Sequence, residues 1–169
     1  MRVAMASALW VATFIHRAEC ARFDSFIVRG PTEADCDIFA GAIGKDGYGR
    51  LCIYRDGVEL CVRPNRYALA RSLGRPLEGT VLALHECDIP LCVKISSPGS
   101  LRQHVVAGSQ RDNMTRMARM RRGGGRAVVP SNGLQERRER SVALRAAVRH
   151  GWDAVAVEAA LLGTELKLW

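Results

Sequence analysis

The segment from His85 to Asn113 concentrates residue types that bind metals and transfer protons. Cys87 and Cys92 are separated by four residues, and His104 follows in the same segment. Zinc prefers thiolate and imidazole ligands in a tetrahedral shell, and a short loop between two cysteines lets one turn supply two of them. The spacing predicts a zinc site, with two buried cysteines and a surface histidine as the alternative. Four cysteines remain candidates for the fourth ligand: Cys20, Cys36, Cys52 and Cys61.

His85 and Asn113 suit a different chemistry. His85 ends an apolar run that predicts a strand over Val81–Leu84, and an imidazole held there can take a proton near pH 7. Asn113 opens a segment with helical spacing, and its amide oxygen is a hard ligand that suits Mg²⁺. Joined by a zinc loop, the two predict a compact site for cleaving phosphodiester bonds. Taken singly, His85 is also explained as a core histidine and Asn113 as a helix N-cap.

Four motifs occur together between about residues 25 and 126: Cys36 followed by GKDGYGR, NRYALARSLGRPLEGTVLALH, HECDIPLC and HVVAGSQRDNM. In combination they resemble the His-Me finger (HNH-like) endonucleases that carry the zinc-binding loop of the His-Cys box homing endonucleases. The resemblance implies an α+β fold. It also implies a small ββα-metal nuclease core with antiparallel hairpins, followed here by a helical C-terminal appendage.

The resemblance implies a role for each matching residue. The family's general base falls on His85, and its ligand for the catalytic metal, Mg²⁺ or Mn²⁺, falls on Asn113. The family's structural zinc ligands fall on four residues, which fills the open fourth place: Cys36, Cys87, Cys92 and His104.

Two departures from the family pattern affect the expected zinc site. Asp37 stands where the family usually has tryptophan. The stretch KISSPGSLRQ lengthens the gap between Cys92 and His104. Because the cost of loop closure grows slowly with length, we expect the longer loop still to close the site.

Positive charge is concentrated in one part of the chain. The net charge is +8 over 169 residues, and the window from Arg102 to Arg149, with twelve arginines and three acids, carries +9. Such a field favours a polyanion, most commonly nucleic acid, and the resemblance implies that this partner is double-stranded DNA. The alternative is a solvated basic surface without a ligand. The predicted DNA-binding residues are Arg50, Arg66, Arg116, Arg119, Arg121, Arg122 and Arg126.

The N-terminal run MRVAMASALWVATFI resembles a signal peptide, but no clear small-residue cleavage site follows it, and it is too short to span a membrane. We therefore expect an N-terminal extension over residues 1–24, in which this run forms a short buried helix or is contributed by an early start codon. We also expect no membrane association and a cytoplasmic protein whose cysteines bind metal. A secreted disulfide protein is the alternative that six cysteines leave open.

The remaining chain divides into a nuclease domain (25–122), a glycine-rich linker (123–133) and a helical accessory segment (134–169). FDSFIVRG predicts a strand, and LCIYRDGVELCV predicts a hairpin turned at Asp56-Gly57, with Cys52 and Cys61 as small hydrophobes. NRYALARSLG predicts a short helix. SQRDNMTRMARM predicts another, whose methionines form a core-facing stripe: Met114, Met117 and Met120.

Together these features predict a metal-dependent DNA endonuclease in which His85 activates water, Asn113 holds Mg²⁺ and zinc is structural. A zinc-stabilised DNA-binding protein without catalysis is the alternative. Two cuts in a duplex would favour a homodimer. The C-terminal segment, from about Leu134, resembles the paired helices that phage-type nucleases often carry as an accessory DNA-binding piece. Packing on the core or dimerisation is the preferred interpretation of these helices.

Overall fold

The computed structural model describes residues 8–119 and 131–162 and has an α+β architecture with small antiparallel sheets. The helices in these ranges are α1 (Arg17–Ser25), α2 (Pro64–Leu73), α3 (Gln110–Arg119), α4 (Ser131–Ala147) and α5 (Ala154–Leu162). The strands are β1 (Ile27–Val28), β2 (Ile38–Phe39), β3 (Ala42–Ile43), β4 (Gly49–Arg55), β5 (Val58–Val62), β6 (Leu82–His85) and β7 (Val105–Gly108).

The predicted hairpin at Asp56-Gly57 is confirmed as β4 and β5, which pair from Arg55↔Val58 onward. Asp56 has φ 51° and Gly57 has φ 76°. Positive φ at both central residues defines the type I′ turn, whose twist matches that of the flanking strands. β3 pairs with the other side of β4, so β5 forms the edge of a three-stranded sheet.

The main core lies between α1, α2 and the inner face of β4. Phe23 of α1 packs against Tyr67 of α2, with ring centroids 4.6 Å apart, and Phe39 and Ile53 are fully buried beside them. The predicted helix over NRYALARSLG is confirmed as α2, and it ends at Gly74, whose φ of 62° suits the left-handed position after a helix.

The N-terminal region differs from its prediction. The strand predicted over FDSFIVRG is confined to β1, because Phe23 belongs to α1 and is buried in the main core. Residues 8–16 are not helical. Leu9 instead forms an antiparallel bridge with Leu77, and Val11 is fully buried. Within residues 8–119 and 131–162, no helix is long and apolar enough to cross a bilayer.

β6, β7 and α3 form a ββα unit in which His85 is paired with Val105. Ser109 caps α3: its hydroxyl accepts the amide of Asp112 at 3.1 Å, and the Asp112 carboxylate accepts the amide of Ser109 at 2.7 Å. The strand and the helix predicted here are confirmed.

The prediction that the α3 methionines face the core is wrong for the described part of the stripe. Met114 and Met117 are 55% and 37% exposed, and Met120 lies outside the described residues. Helical periodicity identifies an apolar face, but no element of the described chain covers this one.

The two predicted C-terminal helices are confirmed as α4 and α5, separated around Gly151. α4 begins at Ser131, so the last three residues of the predicted linker are helical, and the preceding linker residues lie outside the described ranges. Leu144 and Val148 pack with Ile89, Leu91 and partners in a second hydrophobic cluster. The helices therefore pack on the loop that follows β6.

Candidate metal centre and adjoining cleft

Cys36, Cys87, Cys92 and His104 come together in a Cys₃His cluster. One potential ligand atom from each residue lies within 4.8 Å of the other three. The Nδ1 atom of His104 is 3.4 Å from the sulfur of Cys36 and 3.8 Å from that of Cys92. Three of the residues are buried and Cys87 is half-buried. Three thiols and an imidazole form a complete tetrahedral donor set, so the cluster could hold a metal ion such as zinc.

Backbone pairing brings Cys36 to the other two cysteines. Ile38 forms an antiparallel bridge with Cys92. The amide of Phe39 donates to the carbonyl of Leu91 at 2.9 Å, and the amide of Val93 donates to the carbonyl of Asp37 at the same distance. The segment after Cys36 therefore lies alongside the loop between β6 and β7. Asp37 takes part in this pairing through its backbone carbonyl.

The inserted residues after Cys92 loop out without displacing His104. The chain leaves the cluster at Lys94–Ser96 and returns at His104, where Ile95 bridges Val105 in parallel. The amide of Val105 donates to the carbonyl of Lys94 at 2.9 Å, and the amide of His104 donates to the Ser96 hydroxyl at 2.6 Å. These bonds close the loop at its base and fix the backbone of His104 beside Ser96.

A backbone carbonyl and a lysine hold the cluster from outside. The Nε2 atom of His104 lies 3.1 Å from the carbonyl oxygen of Glu33 and can donate to it, which leaves Nδ1 unprotonated and directed at the thiols. The ammonium of Lys94 donates to the carbonyls of Thr32, Glu33 and Asp35 at 2.9, 3.0 and 2.9 Å. Sequence reasoning missed both contacts, because a backbone carbonyl carries no sequence signal.

Crowding of the three thiols shifts their pKa values in opposite directions. Hydrogen bonds from Cys36, and then from Cys92, hold the pKa of Cys87 far below its usual range. The bond with Cys87 raises the pKa of Cys36 to about 12, and the pKa of Cys92 is raised further, mainly by Cys36. Three thiolates in one buried space repel each other, so a bound cation is needed for all three to ionise.

His85 lies at the end of β6, directly beside this cluster, and its side chain is buried at 8% exposure. Within the part of the chain that the structure describes, neither ring nitrogen makes a hydrogen bond of normal geometry, although the imidazole lies close enough to the Cys87 thiol to help lower its pKa. The ring of Tyr48 is 5.9 Å away between centroids. Buried polar atoms are nearly always paired, so a histidine whose two nitrogens both lack such a bond requires a functional explanation.

His85 and Asn113 line the same cleft, which has a volume of about 1300 Å³. Asn113 is half-buried in the first turn of α3, and its backbone amide donates to the carbonyl of Ser109 at 3.1 Å. Asn65 of α2 also lines the cleft, with its Nδ2 bonded to the carbonyl of Ala83 at 2.9 Å and its buried Oδ1 unpaired among the described residues. Sequence reasoning did not single out Asn65.

The cleft is basic, with three acids among the arginines. The lining arginines are Arg63, Arg66, Arg116, Arg137 and Arg140. The acids are Asp88, Glu136 and Glu139. Of the predicted DNA contacts, Arg66 and Arg116 are present. Arg66 donates to the carbonyls of Val81 and, at 2.9 Å, of Glu78, so it also braces the start of β6, and Arg116 lies 3.3 Å from the Glu86 carboxylate.

The other predicted DNA-binding arginines are placed differently. Both oxygens of Asp46 accept from Arg50 at 2.9 Å, and Arg50 does not line the cleft. Arg119 lines a separate, smaller depression. The remaining three lie outside the described residues: Arg121, Arg122 and Arg126.

α4 forms one side of the cleft, which the sequence did not indicate. Gly47 has φ 82°, and a Cβ atom there would lie 3.0 Å from the backbone of Arg137, so the glycine allows α4 to approach the β3–β4 turn closely. The guanidinium of Arg63 stacks on the ring of Tyr48 at 4.1 Å, and that of Arg137 lies 5.8 Å from the same ring. The helical segment therefore contributes cationic groups opposite His85.

Comparison of the chain with protein-family models, with curated proteins and with solved structures gave no match.

Proposed function

We propose that this protein is a metal-dependent DNA endonuclease of the His-Me finger type, with a zinc ion in the Cys₃His cluster. The observation that carries the proposal is the position of His85. It ends the first strand of a ββα unit, where neither ring nitrogen makes a hydrogen bond of normal geometry among the described residues, and it shares a cleft with Asn113 of the helix in that unit.

His85 would act as the general base. Its side chain is buried among residues of the cleft, and no described group makes a hydrogen bond of normal geometry with its nitrogens, so a ring nitrogen can accept a proton from water. Pairing of His85 with Val105 in the β6–β7 ladder fixes the backbone that carries the ring. Such a base usually contributes a factor of about 10²–10⁴ to the rate.

Asn113 fits a role as ligand for a catalytic Mg²⁺. Its side-chain amide offers a neutral oxygen ligand, and Asn113 lines the cleft. Mg²⁺ keeps most of its water and needs few protein ligands. When bound there beside a phosphate, Mg²⁺ supplies charge stabilisation for the displacement at phosphorus. The Ser109–Asp112 cap fixes the first turn of α3 and so orients Asn113.

Zinc in the Cys₃His cluster would be structural. Four protein ligands complete a tetrahedral shell and leave no open position for water or substrate. The cluster joins the loop after β6, the segment after Cys36 and the base of β7. Zinc would therefore fix β6, which ends at His85, relative to β7, which leads into the helix that contains Asn113. It would also contribute to the folding free energy.

The cleft arginines suit a phosphate backbone. Arg63, Arg116, Arg137 and Arg140 come from three different parts of the fold and surround the same space as His85. An array of cations around one groove binds a polyanion through counterion release, which makes affinity depend strongly on salt.

The nuclease proposal is tested by cleavage of a supercoiled plasmid with and without Mg²⁺, followed by mapping of the ends. We expect Mg²⁺-dependent nicking that falls by about 10²–10⁴-fold in His85→Ala. His150→Ala is the matched control, because His150 is exposed and does not line the cleft. Zinc content and thermal unfolding of each variant separate a lost base from a lost fold. Equal cleavage by wild type and His85→Ala would refute the role of His85.

The arginines are tested by the salt dependence of duplex DNA binding. We expect Arg137→Ala to lower the slope of log affinity against log salt by about 1. The exposed Arg75, which does not line the cleft, serves as control. Tight binding without cleavage under every metal condition would favour the non-catalytic DNA-binding alternative.

A further inference from the structure

We propose that Cys52 and Cys61 form a modification site, a cross-strand dithiol that low-molecular-weight disulfides of the glutathione class convert reversibly into an intrachain disulfide. The site lies on the β4–β5 hairpin and takes no part in the Cys₃His cluster or in the cleft. It therefore stands independently of the proposed nuclease function.

The register of the hairpin places the two cysteines in the pairing that a disulfide requires. Cys52 is directly opposite Cys61. A two-residue turn closes on a hydrogen-bonded pair at Arg55↔Val58, and such pairs alternate with non-hydrogen-bonded ones. Counting back from the turn puts Cys52↔Cys61 in a non-hydrogen-bonded position. Cα atoms there are about 4.5 Å apart, within the roughly 4.4–6.8 Å that a disulfide spans.

The pair lies on the solvent side of the sheet, where Cys61 is exposed and Cys52 is half-buried. Along β4, Gly49, Leu51 and Ile53 are buried, so Cys52 points to the opposite face, and Cys61 on the edge strand is exposed. Cysteine is among the most buried residue types, and an accessible thiol can react as a nucleophile when it is ionised. Two such thiols facing each other across a ladder suit reaction with a small soluble oxidant.

The remaining cysteines are not available to compete. Cys20 is buried, and its sulfur lies 3.4 Å from the Tyr67 hydroxyl. The other three belong to the Cys₃His cluster, where a bound metal would occupy their sulfurs. In the metal-loaded protein, thiol chemistry is therefore directed to the hairpin.

The reaction is a thiol–disulfide exchange in two steps. The thiolate of the exposed Cys61 attacks one sulfur of the small disulfide, which forms a mixed disulfide and releases one thiolate. The thiolate of Cys52 then attacks the Cys61 sulfur, which forms the intrachain bond and releases the second small thiol. Desolvation, and then the neighbouring Cys61 and Glu59, raise the pKa of Cys52, which lowers its thiolate fraction and disfavours Cys52 as the first attacking thiol.

The test incubates the zinc-loaded, reduced protein with oxidised glutathione and follows intact mass, accessible thiols and peptide maps. We expect loss of the mass of two hydrogens, disappearance of the two accessible thiols, a Cys52–Cys61 linked peptide, unchanged zinc content and reversal by reduced glutathione. Cys52→Ser should stop at the mixed disulfide on Cys61, because the second attack is impossible.

A register control keeps an accessible thiol on the same strand but turns it to the other face. In the double variant Cys61→Ser, Leu60→Cys, the new thiol is paired opposite Ile53 rather than Cys52. We expect this variant to accumulate mixed disulfide without an intrachain bond. Stable, separate glutathione adducts on Cys52 and Cys61 in the wild type, or linkage between chains instead of within one, would overturn the proposal. So would efficient closure in the register control.

Discussion

Substitution of Lys94 tests how the Cys₃His cluster is supported from outside. Among the described residues, only Lys94 donates hydrogen bonds from its ammonium to three carbonyls of the segment before Cys36. Lys94→Met keeps the length and apolar character of the side chain and removes only the charge and the donors. The Cys36 segment would then lose the contacts that hold it against the base of β7, and we expect weaker zinc binding.

The magnitude follows from the exposure of the three carbonyls. A hydrogen bond to a charged group contributes about 1.5–3 kcal/mol. The carbonyls of Thr32 and Glu33 lie in exposed contacts, where water can replace the ammonium, whereas the contact with Asp35 is half-buried. Counting mainly the last gives about 2 kcal/mol, or about 30-fold in zinc affinity. This lies within the roughly 10–100-fold found when hydrogen-bond partners of metal ligands are removed.

Zinc affinity is measured by competition with a chromogenic chelator at fixed pH, because thiol ligands release protons on binding. Lys45→Met is the matched control, since Lys45 is an exposed lysine that is not part of the cluster. A Lys94→Met affinity within about threefold of both wild type and Lys45→Met would refute the inference that Lys94 supports the cluster.

Three further predictions concern the cluster, the second hydrophobic cluster and a surface ion pair. Cys36→Ser should lower zinc affinity by more than about 100-fold, because it removes a metal ligand rather than a hydrogen-bond partner of a ligand. The control Cys61→Ser should bind zinc with the wild-type affinity. Equal zinc content in the two variants after dialysis would contradict the ligand set. Leu144→Ala should lower the unfolding free energy measured in denaturant titrations by about 2–5 kcal/mol, because Leu144 is 1% exposed. The control Leu134→Ala, at a residue that is 45% exposed, should lower it by about 0.5 kcal/mol or less. Similar losses in the two variants would show that α4 does not pack as described. Burial disfavours ionisation of Asp46, but Arg50 and the backbone amide of Tyr48 outweigh this effect and lower the pKa of Asp46. The stability advantage of wild type over Asp46→Asn should therefore be full above pH about 3.9 and should vanish as the pH falls through the lower pKa of the folded state. A stability difference that persists below both pKa values would rule out this cause.

Local features of the fold were predictable because nearby residues determine them. Asp56-Gly57 specifies the turn and register of the β4–β5 hairpin, and Gly74 ends α2. The short spacing of Cys87 and Cys92 likewise identified half of the donor set before any fold was known.

Predictions failed where burial depends on distant elements. Phe23 has strand-like neighbours, yet α1 places it against Tyr67. Met114 and Met117 have helical spacing, yet no described element covers them. Cys61 was expected to act as a small hydrophobe, but it is exposed because β5 is an edge strand. A residue's own pattern shows which face is apolar, whereas coverage of that face depends on the packing of the remaining chain.

The sequence by itself determined the residue types capable of metal and proton chemistry, their order along the chain and the concentration of positive charge. Only the tertiary structure decided that Cys36 meets His104 across 68 residues, that the loop after Cys92 closes at its base, and that α4 brings Arg137 to the cleft of His85. The physical reason is that these contacts depend on backbone pairing between distant segments and on a backbone carbonyl at Glu33, and neither leaves a mark on side-chain spacing.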